Sequence, residues 1–319
     1  YNMMEIQKQS TALSEEYVPE VDLANSIERN ALQVMYNMRG YSLKFEQNFY
    51  ELSREYMAEL NSYLDEAERL AQEHAALEQL REDVKVAKQY VSEYNSLAEE
   101  TDAVIDSIAE QRTILDESAA LYMQQAGDFL DSQKRFFEQD LANDASDDAL
   151  RERIQKIYIM NDAIDYANNA RILVFKAQAD FDYGVLDEAL AELDKIPALA
   201  QEINAIVRKQ ENIEQLQTIG ETRGRYYEAL QQTKEDFQRL GELNQLRDQA
   251  ANNVLEAAQN TATAGIENTT RIAGEAVERL VHALTPRACE MLLDQYRGAL
   301  GHAIQQVRAA LLNEPDWRL

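Results

Sequence analysis

The chain has 319 residues and a formal net charge of -27, from 58 Asp and Glu against 31 Lys and Arg. That sign excludes nucleic acid and acidic lipid as partners, because an anionic surface repels phosphate. Ten glycines and four prolines, with no proline between Pro19 and Pro197, leave too little turn punctuation for a sheet, so an all-α chain is predicted.

Taken in chain order, Ile27, Ala31, Val34, Met38, Tyr41, Phe45, Phe49, Leu52 and Tyr56 recur at alternating steps of three and four. This seam predicts one helix over residues 21–73, about 80 Å long at ~1.5 Å per residue. A reversal is placed between Glu73 and Gln79, where the chain must turn although no strong breaker marks the spot. The seam of Leu77, Leu80, Val84, Ala87 and Val91 then opens a returning helix that runs to about Leu141. Asn143, Asp144 and Ser146 form a polar turn in which Ser146 is predicted to cap the next helix, with Asp147 and Asp148 at the positive end of its dipole. That helix carries Ile154, Ile157, Asn161, Ile164 and Asn168. Gly184 and Pro197 are predicted to bracket an irregular junction. Gly220 followed by Thr222 reads as a C-terminal glycine and a new N-cap. The last seam passes through Leu246, Ala250, Val254, Ala257, Thr261 and Ala264.

The two halves show a weak repeat, with Asn37-Met38-Arg39 matching Asn169-Ala170-Arg171 and Ala58-Glu59-Leu60 matching Ala191-Glu192-Leu193, 132 and 133 positions apart. A helix as long as the first predicted one exceeds the height of an ordinary bundle, so two stacked four-helix modules are expected, built from two long and four shorter helices. Their predicted segments are residues 5–44, 111–182 and 250–280 in a membrane-proximal module, and residues 45–110 and 183–249 in a distal one. Residues 281–319 balance their own charge and hold the only cysteine, Cys289, and the only tryptophan. They are expected to be a helical tail, either fusion- or vector-derived or a natural appendage. No run approaches the ~18 apolar residues of a membrane span. The expectation is a periplasmic domain whose flanking transmembrane helices lie outside this sequence.

Long acidic helices in an up-down path, with Tyr36-Asn37-Met38-Arg39-Gly40-Tyr41 on the first and Asn168-Asn169-Ala170-Arg171 on its partner, resemble the helical bimodular sensor domain. That family occurs in bacterial methyl-accepting chemotaxis proteins and some sensor histidine kinases. The resemblance covers residues 5–280. It implies two stacked four-helix bundles, a homodimer, a membrane-anchored receptor, and small organic acids bound between helices with arginines on the carboxylates.

Polar residues at seam positions mark where such a ligand would sit, because a buried amide or hydroxyl without a partner costs about 1–3 kcal/mol. Thr261, Asn168 and Asn268 are such positions. Counting along the predicted helices sets Arg39 and Arg171 at one height, where two guanidinium forks could hold one carboxylate. Tyr36 stands one turn before Arg39, and Arg112 and Tyr122 lie about a turn from the same layer. For each arginine the competing reading is a surface ion pair, and for the seam polar residues it is a hydrogen bond that sets helix register.

His74, His282 and His302 are too scattered for a zinc site or a histidine-based catalytic group, and no Gly-rich phosphate loop or Gly-x-Ser-x-Gly elbow is present. No metal, cofactor or enzymatic chemistry is expected. The alternative to a sensor is a scaffolding coiled-coil protein without a small ligand, which would use the same seams.

Overall fold

The computed structural model describes residues 2–180 and 182–283; of the tail predicted at residues 281–319, everything from residue 284 lies outside the described residues. All-α is what the structure shows, with no strand among the described residues. The elements are α1 (Asn2–Ala12), a π-helical turn (Leu13–Tyr17), α2 (Val18–Lys44), α3 (Gln47–Glu73), α4 (Glu78–Ala142), α5 (Asp147–Asp180), a 3-10 turn (Tyr183–Val185), α6 (Leu186–Leu193), α7 (Ile196–Ile206) and α8 (Gln210–Ala283). The wide turn ends directly before α2, whose second residue is Pro19. Proline has no N–H for the α ladder, and a π turn absorbs the missing bond.

The helix predicted over residues 21–73 is instead two helices. Phe45 adopts a left-handed conformation (φ 57°, ψ 28°) and Glu46 is extended, so α2 ends at Lys44 and α3 packs back along it. The Phe45 N–H donates to the Tyr41 carbonyl at 2.8 Å, which closes the end of α2 as an αL cap does. Gly40 allows the reversal, since a Cβ there would lie 2.7 Å from the Phe49 ring. Tyr41 and Tyr50 stack across it with centroids 5.2 Å apart.

The next reversal falls where it was expected, between Glu73 and Glu78. It is held by Arg81, which donates to the Ala71 carbonyl at 2.6 Å in the last turn of α3. Ser146 accepts from the Ala149 N–H at 3.3 Å, the predicted N-cap of α5. Gly220 and Thr222 do not break a helix. Thr222 donates its hydroxyl to the Thr218 carbonyl at 2.8 Å, inside an uninterrupted α8, and no glycine has a positive φ among the described residues. The actual reversal lies at Val207, extended at φ -80°, ψ 136°.

The chain forms two compact units. The first takes α1 to α3, α4 as far as Thr101, and α8 from Leu243; the second is Asp102–Glu242. In the first, Val21, Met38, Leu60, Leu64, Leu80 and Leu243 are among the buried residues. Lys88 of α4 pairs with Asp65 of α3 at 2.7 Å and with Glu68, and Thr261 of α8 donates to Asp83 of α4 at 2.9 Å. In the second, Phe129 of α4, Ala170 of α5, Leu186 of α6, Ile203 of α7 and Leu230 of α8 share one core. No helix among the described residues is long and apolar enough to cross a membrane.

Candidate functional site

The second unit holds an interhelical cleft at which α4, α5, α7 and α8 converge. Its narrow part, about 20 Å³, is lined by Ser118 and Tyr122 of α4, Arg171 of α5, Ile196 of α7, and Thr222, Arg223 and Tyr226 of α8, among others. The seam Leu115, Ala119, Tyr122, Ala126, Phe129 turns this face of α4 inward, and all five are buried in the core of this unit. Ser118, on the same face, is 1% exposed, and its hydroxyl has no hydrogen-bond partner. Arg171 is half-buried and makes no ion pair or hydrogen bond among the described residues. Its positive charge is felt by Tyr226, whose hydroxyl is pushed up to about 12, mainly by burial, while Arg171 pulls the other way.

Arg223 is already engaged. It donates to the Leu193 carbonyl from Nη2 at 2.8 Å and to Asp194 at 3.2 Å, a cation at the C-terminus of α6, and its guanidinium lies over the Tyr227 ring at 4.6 Å. Tyr122 donates to the Ala163 carbonyl at 3.3 Å, and burial pushes its hydroxyl to about 12. The chemistry on offer is therefore a free guanidinium with an unsatisfied hydroxyl lining the same space, donors suited to an anion. Among the described residues no cluster of His, Cys, Asp or Glu is placed to hold a metal.

Of the residues picked from sequence, this cleft unites Arg171 and Tyr122. Arg39 belongs to the first unit, where it is 59% exposed and paired with Asp248 at 3.0 Å. The count that set it level with Arg171 assumed an unbroken helix from residue 21 to 73, and the reversal at Phe45 removes that basis. Tyr36 is exposed on α2 and Arg112 is exposed on α4. Asn168 is half-buried on α5; Asn268, on α8, accepts from Arg271 at 3.4 Å. Thr261 is buried and spends its hydroxyl on Asp83, so its polarity serves a helix-to-helix bond. Ser118, Arg223 and Tyr226 were not anticipated. The misplaced helix start at Thr222 hid the last two, and nothing in the spacing distinguishes Ser118 from other small core residues.

The first unit holds a buried guanidinium of its own. Arg247 of α8 is 2% exposed, donates to the Ser42 hydroxyl at 2.8 Å and to Asn244, and leaves Nε and Nη1 unpartnered. Burial pulls its pKa down. In the same unit Glu20 is 1% exposed with Oε2 unpartnered, and its carboxyl is pushed up to about 7, first by burial and then by Asp83.

No protein-family model matches the chain, and no curated protein matches it significantly.

Proposed function

We propose that this chain is the extracytoplasmic sensor domain of a bacterial membrane receptor, of the helical bimodular chemoreceptor kind. It binds a small organic anion between helices and performs no chemistry on it. The observation that carries the reading is Arg171: in a chain with 58 acidic residues, this guanidinium has no acidic partner among the described residues, and it lines a cleft beside a buried Ser118 hydroxyl that has no hydrogen-bond partner there. An arginine in such surroundings normally pairs with a carboxylate, so a free one points to a carboxylate that arrives from outside. The closed α2–α3 hairpin, and the membership of α4 and α8 in both units, support a bimodular design in which two long helices are joined by shorter ones before and between them. Signal output would follow from ligand-dependent displacement of helices toward a membrane.

A second copy of the chain is the proposed partner. Leu32, Tyr36 and Leu43 are exposed at helical spacing along α2, an apolar stripe that a homodimer would cover. Tyr36→Glu is expected to shift the species seen by light scattering to the monomer, and an unchanged dimer removes this face from consideration. The site itself is tested by a thermal-shift screen of organic acids, with a rise in melting temperature expected and its loss in Arg171→Ala. Silence across the screen, or a shift that survives the substitution, rejects the site. Silence would also favour a scaffolding helical protein, in which bonds such as Thr261 to Asp83 exist for register alone.

A further inference from the structure

Resting on that reading of the cleft, we infer that its ligand is an amphipathic monocarboxylate, with the anionic head at Arg171 and a short alkyl chain or ring in an adjoining apolar chamber. The chamber has a volume of about 240 Å³ and shares Tyr122, Ile196 and Arg223 with the narrow part of the cleft. The narrow part, about 20 Å³, has room for little more than one water-sized group, such as a carboxylate oxygen directed at Arg171. The chamber exceeds the ~150 Å³ of an apolar cavity that stays dry and takes up benzene.

Its walls are Ile159, Met160, Leu199, Ile203, Leu216 and Ile219, with smaller apolar residues between them. Three polar residues also reach it, and two have their principal donors committed. Tyr122 bonds the Ala163 carbonyl, and Arg223 is fixed to Leu193 and Asp194. Asn204 is the third. A second carboxylate there would shed its water with no free cation to receive it, whereas methylene groups gain by leaving water. The cleft thus discriminates against small di-acids and in favour of an acid with one charged end.

Titration calorimetry tests this with acetate, butyrate, hexanoate, octanoate, phenylacetate and succinate on the whole chain. Affinity is expected to rise roughly three- to fourfold per methylene until the chamber is full, with succinate weaker than hexanoate. Arg171→Ala should abolish binding of the series, and Ala200→Phe, which narrows the chamber from α7, should weaken hexanoate at least tenfold and leave acetate unchanged. Succinate binding tightly through Arg171, with no gain along the monocarboxylate series, overturns this inference and leaves the anion site standing. Binding of none of the probes overturns both. Affinity that grows with chain length yet ignores both substitutions places the ligand elsewhere and also overturns the inference. Should either variant fail to fold by circular dichroism, the chain-length series on the unsubstituted protein still decides between mono- and di-acid.

Discussion

Glu20→Gln should change how the stability of this protein depends on pH. In the folded chain burial between helices, and then the nearby Asp83 charge, push the Glu20 carboxyl from its ordinary 4.5 up to about 7, with Oε2 unpartnered. For an acid raised in this way the folded state holds the proton more tightly than the unfolded one. Its contribution is therefore fully present below pH ~4.5, falls as pH rises from there, and is lost once pH passes about 7. At ~1.4 kcal/mol per unit the shift sets a ceiling near 3 kcal/mol, so an effect of about 1–3 kcal/mol is expected. Glutamine keeps the shape, cannot ionise, and can donate toward Asp83. Urea unfolding of both proteins at pH 4.5, 6 and 8 reads the effect of Glu20 together with its coupling to Asp83, because carboxylates that do not interact with Glu20 cancel in the difference. The variant should gain about 1–3 kcal/mol on the wild type between the first and last pH. A difference that stays constant, or moves the other way, refutes the account of a neutral buried carboxyl.

Four further substitutions test the packing and the helix ends. Arg247→Met removes a buried charge that has no carboxylate in ion-pair contact, so stability should hold or rise in low-salt buffer; a loss above ~2 kcal/mol would show that the bonds to Ser42 and Asn244 outweigh desolvation. Gly265→Ala puts a Cβ 2.7 Å from Val21 and 3.1 Å from Glu20, so about 1–3 kcal/mol should be lost in chemical denaturation, and an unchanged midpoint would mean that α8 is farther from α2. Ser146→Ala should cost about 1 kcal/mol by loss of the α5 cap, whereas Thr222→Ala, in mid-helix, should cost well under that.

What the sequence disclosed follows from which forces are local. Helical periodicity, the Ser146 cap and the reversal after Glu73 are readable because spacing and short-range hydrogen bonds produce them. The α2–α3 reversal is not, because its left-handed residue is a phenylalanine, where glycine or asparagine is the usual signal. The apolar rhythm also runs on through Tyr41, Phe45 and Phe49 as if no break existed. Gly220 misled in the opposite sense: it signals a C-cap only when its φ is positive, and here it sits in ordinary helix. Arg171 is legible from its place in the internal repeat and Tyr122 from counting along the helices to the same layer, but which arginine joins them depends on tertiary placement. Arg223 enters the cleft because α6 ends at Leu193 and exposes a carbonyl for it to hold.

Buried polar groups in these helices divide by whether the protein answers them. Near the α4–α5 turn, Asn212 donates to Ser132 at 2.7 Å, Gln133 donates to Asn212 at 2.9 Å, Ser132 donates to the Phe129 carbonyl at 2.7 Å, and Arg153 donates to Gln133 at 3.3 Å. Each amide and hydroxyl there has a partner, so the network locks α4 against α8 and leaves nothing for a ligand to satisfy. In the cleft the tally is different. Among the described residues Ser118, as deeply buried as Ser132, has no partner, and Arg171 is unpaired where Arg153 holds Asp140 at 2.9 Å. Two sites in one unit, of similar composition, thus differ in the property that matters for binding. The buried Ser118 hydroxyl, left unsatisfied, carries a standing cost that an incoming hydrogen-bonding group would relieve, whereas the half-buried Arg171 is hydrated and offers charge without that cost.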